Sequence, residues 1–121
     1  MMGCLGVLFL GIAVIGCREL CLQTDYSKAF SDDRFRQITV GMPVDGVFNI
    51  VGYPFFFRVP SLGGRGYFTN TADVRSFLSN EGETVVLEYS RPRRGDKYQA
   101  RQIVVSSGRV IKVDAYVYWG D

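Results

Sequence analysis

The side chains with the greatest chemical reach in this 121-residue chain are three cysteines, Cys4, Cys17 and Cys21. No other cysteine follows them, so a disulfide framework for the body and a four-cysteine zinc site are excluded. There is no histidine. That removes Ser-His-Asp and Cys-His nucleophile systems, imidazole acid–base work and His-ligated metals from this chain. Asp32 and Asp33 are adjacent, and Glu81 and Glu83 flank Gly82. Neither pair has the separated environments that split two carboxyl groups into an acid and a base. Gly64-x-Gly66-x-x-Thr69 fails the dinucleotide pattern, and no P-loop or calcium-loop spacing occurs. The chain reads as a non-enzyme with no cofactor and no metal site.

The chemistry that remains belongs to Cys17. Residues 3–16 form an uncharged apolar run, and the first charge is Arg18. The run has the length of a signal-peptide core and is too short to cross ~30 Å of hydrocarbon as a helix. It ends in Val14-Ile15-Gly16-Cys17, which resembles a bacterial lipobox: aliphatic residues, a small residue at the cut, then a thiol to accept a diacylglycerol. Residues 1–16 are thus expected to be a lipoprotein-type signal peptide, removed to leave an acylated Cys17 as membrane anchor. Residues 17–30 have no steady period and read as a tether. Residues 31–121 read as one small domain.

Two sets of side chains in that domain suit binding. Arg91, Arg93, Arg94, Lys97 and Arg101 cluster on an expected hairpin, with Asp96 as the one acid among them. Such a patch suits anionic lipid head groups or an acidic protein. A net charge of +2 is too balanced to imply nucleic acid, and an exported chain rarely meets it. Tyr116 and Tyr118 share one face of the last strand, where tyrosines serve as interface anchors.

The elements that must position these groups follow from local patterning. Ser31 with Asp32 and Asp33 opens a short helix carrying Phe35 and Ile38. Val44, Val47, Phe48 and Val51 fall at i, i+3, i+4, i+7, and predict a second helix with Pro43 in its first turn and Gly52 at its end. Residues 55–59 read as a strand. A glycine-rich insert and a short helix follow, capped by Asn70 or Thr71, with Val74, Phe77 and Leu78 as its face. Three strands finish the chain, with Ile111, Val113, Ala115, Val117 and Trp119 expected on one face of the last. The fold class is α+β: two short N-terminal helices packed on one face of a three- to four-stranded antiparallel sheet.

Ile38, Gly41, Met42, Val47, Val51, Gly52 and Pro54 stand in the register I-x-x-G-M-x-x-x-x-V-x-x-x-V-G-x-P. This run resembles the SmpA/OmlA, or BamE-like, small outer-membrane lipoprotein family. Leu87-Glu88-Tyr89 and Ser107-Gly108-Arg109-Val110 are similar to its strand and turn patterns. Pro43 and Gly46 depart from the family's cap and acid, so its capping box is lost. The resemblance implies a bacterial envelope lipoprotein, held by its acyl chains on the periplasmic side of the outer membrane. It would act as a binding or accessory module in outer-membrane protein assembly or envelope integrity, within an envelope protein complex. The alternative is a secreted inhibitor or ligand-binding domain on a β-lactamase-inhibitor-like α+β scaffold.

Overall fold

A computed structural model of the chain describes residues 24–95 and 97–119. Residues 1–16, expected to be a signal peptide, Cys17 and the first part of the expected tether lie outside the described residues. The apolar stripe of the second helix is where the core begins. Val44, Val47, Phe48 and Val51 are all buried on helix α2 (Val44–Val51), as their spacing predicts. Pro43 is the cap of this helix rather than its first residue; its carbonyl accepts from Gly46 and Val47. Gly52 ends the helix at φ +75.

Helix α1 (Asp32–Phe35) is shorter than predicted, with Ser31 Oγ accepting from the Arg34 N–H at 3.2 Å. Ile38 still enters the core, from beyond the helix. Helix α3 (Thr71–Ser79) is capped by Asn70, whose Oδ1 accepts from Ala72 N–H at 2.8 Å, and it buries Val74 and Leu78.

The strands are β1 (Thr24–Tyr26), β2 (Phe56–Arg58), β3 (Tyr67–Phe68), β4 (Thr84–Glu88), β5 (Ser90–Pro92), β6 (Tyr98–Ser106) and β7 (Arg109–Tyr118). Five form an antiparallel sheet in the order β3-β2-β4-β6-β7, and β1 pairs with β5 in a separate two-stranded ribbon. The class is α+β, but the expected three- to four-stranded sheet and purely N-terminal helices are corrected on two counts. The glycine-rich insert folds as a 3-10 turn (Pro60–Arg65) followed by β3, which pairs with β2 and adds an edge strand. Helix α3 then joins α1 and α2 in packing the core.

Residues 24–30, expected to belong to a tether, are packed onto the body. Thr24 and Ser27 are buried, Tyr26 stacks on Phe30 at 5.1 Å, and Phe30 packs against the core. The folded unit thus reaches back at least to Thr24, where β1 pairs with β5.

One face of the sheet carries the core. Phe57, Leu87, Ile103 and Val113 stand in register across β2, β4, β6 and β7 on that side. Phe48 meets Phe57 edge-on at 6.2 Å, joining helix to sheet. The expected face of β7 is corrected at its start. The ladder shifts between Val104 and Val105, so Val105 opposes Val110 and Val104 opposes Lys112. Ile111 is the extra residue and is exposed, while Val110 is buried in its place.

Candidate binding surfaces

Strand periodicity sends alternate residues to the other side of the sheet. The buried side chains of all three helices belong to the core on the first face. The second face bears the row Phe56, Glu88, Gln102, Asp114 and, beside it, Tyr67, Arg58, Val86, Val104, Lys112. Beyond the first row stand Ala100 with Tyr116, then Tyr98 with Tyr118. Five aromatic residues therefore share this face with two acids, Glu88 and Asp114. Phe56 lies 5.7 Å from Tyr67, and Tyr98 5.6 Å from Tyr118. Tyr67 is 56% exposed and Tyr116 44%.

Glu88 sits in the middle and is itself buried. Gln102 Nε2 donates to its Oε1 at 2.8 Å, and Arg58 Nε stands 3.7 Å from its Oε2. Burial is the largest influence on this carboxyl and raises its pKa above 4.5; Arg58 and Gln102 pull the other way without cancelling it. The Tyr98 phenol is also pushed up, first by burial and then by the negative charge of Glu88. Beside Arg58, an open cleft of about 280 Å³ is lined by Pro60, Gly63, Gly64 and Tyr67. Sequence reading missed this acid. Its signal was a lone charge inside the apolar run Thr84-Val85-Val86-Leu87-Glu88-Tyr89.

The basic hairpin is not the bare cationic patch that the sequence suggests. Asp25, on β1, takes Arg93 Nε at 2.7 Å and Arg91 Nε at 3.9 Å. Arg91 also lies over the Phe55 ring at 4.2 Å. Arg101 is turned away from the hairpin tip onto Asp32, Nε to Oδ1 at 3.0 Å. Lys97 faces the Trp119 ring at 5.8 Å. Among the described residues, Arg94 and Lys97 form no ion pair. The patch is thus reduced to the turn between β5 and β6, with Arg91 and Arg93 at its root. Tyr116 and Tyr118 do come together on the second face, with Glu88 and Tyr98 rather than with the basic turn. Cys17 lies outside the described residues.

No helix among the described residues is long and apolar enough to cross a membrane. The same residues contain no group of three or more Cys, Asp or Glu placed to hold a metal ion. The arrangement offers recognition groups: a ring-bordered sheet face with a buried acid, and a partly neutralised basic turn. Compared with protein-family models, curated proteins and solved structures, the chain has no match in any of the three.

Proposed function

We propose that this chain is a lipid-anchored accessory module of the bacterial cell envelope, and that the second sheet face is its contact surface for an envelope protein. The observation that carries the reading is that face itself: Phe56, Tyr67, Tyr98, Tyr116 and Tyr118 around Glu88, on the side opposite the helix-packed core. Tyrosine-rich surfaces of this kind bind protein with little loss of side-chain entropy. The Val14-Ile15-Gly16-Cys17 site supplies the anchor, and the likeness of residues 38–54 to the SmpA/OmlA family supplies the compartment.

Chain geometry supports an orientation as well. Six residues separate Cys17 from Thr24. Fully extended, they reach at most about 25 Å. Thr24 pairs with Pro92, next to Arg93 and Arg94. An acylated Cys17 therefore keeps the basic turn near the lipid, where each cation adds about 1 kcal/mol on an anionic leaflet. The intact mass of the chain extracted from native membranes tests the anchor. The expected species begins at Cys17 and carries acyl groups; a chain that keeps Met1, or a Cys17→Ser chain that stays in the membrane, overturns it.

A further inference from the structure

Strand β7 ends the sheet, with β6 on one side and no strand on the other among the described residues. Which of its backbone groups point outward follows from its neighbours. Tyr89 N–H donates to the Arg101 carbonyl, so Arg101 and the residues two and four away along β6 turn their N–H and C=O toward β4 and β5. Val113, Ala115 and Val117 oppose Ile103, Arg101 and Gln99, and so turn their own groups away from β6. Val110, which opposes Val105, belongs to the same class. There the outward groups are already taken: Gly41 N–H donates to the Val110 carbonyl, and Val110 N–H to the Met42 carbonyl. Past that point no backbone group of the described residues pairs with the edge.

Natural edge strands are blunted by proline, charged side chains, bulges or short length; the bulge of β7 lies at Ile111, before residues 113–117, and its charges Lys112 and Asp114 pair with each other at 3.6 Å. This one runs ten residues, and its outward set is Val, Ala, Val. Val113 and Val117 are half-buried and Ala115 is exposed, so the apolar side of the edge is also incompletely covered. We infer that β7 pairs with β7 of a second copy of this chain, antiparallel, about a two-fold axis at Ala115. That axis sets Val113 against Val117 of the second copy and Ala115 against itself, and every outward N–H and C=O of the three finds a partner.

Neighbouring registers fail on residues already described. An axis at Asp114 sets that carboxylate against its own copy. An axis at Val113 drives Tyr116 of the second copy onto Val110, where Gly41 and Met42 hold the edge. An axis at Tyr116 carries the ladder beyond Tyr118, where β7 ends. The Ala115 axis opposes no like charges directly, and it extends the second face with its tyrosines across both copies. It does not depend on the envelope reading.

The test is sedimentation of the full chain in detergent, with Ala115→Asp and Ala115→Lys variants. Ala115 is exposed, so both variants keep the wild-type circular dichroism. The wild type is expected to dimerise. Each variant alone sets like charges across the axis and weakens association more than about tenfold. An equal mixture of the two variants restores the dimer. A monomeric wild type, with the edge left bare or covered by residues 1–23 of its own chain, overturns the inference. So does a dimer that survives in each variant alone, or a mixture that stays monomeric.

Discussion

The hydroxyl of Tyr89 donates to the carbonyl oxygen of Gly52 at 2.8 Å, tying the end of helix α2 to the residue that joins β4 to β5. Tyr89 is fully buried, and burial alone pushes its phenol far above the usual tyrosine range. Burial thus favours the neutral phenol, which acts as a donor at neutral pH. Tyr89→Phe removes one buried hydrogen bond and leaves the acceptor unpaired. The expected loss is about 1–3 kcal/mol, read from urea unfolding and constant with pH below about 10; above that the unfolded wild type ionises this phenol, so wild-type stability falls with pH while that of Tyr89→Phe does not.

Gly52→Ala is expected to cost more. Its φ of +75 and ψ of −164 fall where only glycine sits comfortably, a strain worth about 1–3 kcal/mol. An added Cβ also meets the Ala29 Cβ at 2.6 Å. Ala29→Gly in the same chain relieves the clash and leaves the strain, so the double variant recovers part of the loss. Full recovery, measured by thermal melting, would mean that the backbone carries no strain.

The raised pKa of Glu88 has a defined sign. Above pH 4.5 and below the higher folded-state value, the folded chain holds a proton that the unfolded chain has lost. This group's contribution to stability is full below pH 4.5 and is lost as pH rises through the folded pKa. Glu88→Gln abolishes that dependence. The stability of wild type minus that of Glu88→Gln is expected to fall from pH 4.5 toward neutrality, by chemical denaturation at a series of pH values. A difference that rises would show that Arg58 and Gln102 outweigh burial.

The basic turn is expected to notice lipid charge only modestly, because Asp25 neutralises part of it. Binding of the chain with Cys17→Ser to anionic vesicles should fade with salt and fall with Arg93→Glu and Arg94→Glu. Asp25→Asn should strengthen it. Equal binding to neutral and anionic vesicles would remove this turn from the membrane contact.

What was legible in the sequence was whatever depends on near neighbours. The stripe on α2 and the caps Ser31 and Asn70 are set within one or two helical turns. The long strands β4, β6 and β7 are set by β-branched runs. Asp25 and Asp32 were out of reach because they meet Arg93 and Arg101 from 68 and 69 residues away. Strand β3 has two residues, too few for a period to be seen. The shift at Val104 and Val105 moved Ile111 out and Val110 in, and a bulge leaves no mark in alternation until its partner strand is known. The second face was half legible: Tyr116 and Tyr118 were visible as a pair, while their convergence with Phe56, Tyr67 and Glu88 depends on the strand order.

Photo-crosslinking in native membranes reaches the central claim most directly. A benzophenone side chain is placed at Tyr67 or Tyr116, both exposed on the second face, and in separate chains at Lys28 or Arg36, both exposed outside that face. The account predicts adducts to one and the same envelope protein from Tyr67 and Tyr116, absent from Lys28 and Arg36, and lost when Phe56→Asp is added. Equal labelling from all four positions, or adducts confined to Lys28 and Arg36, would contradict it.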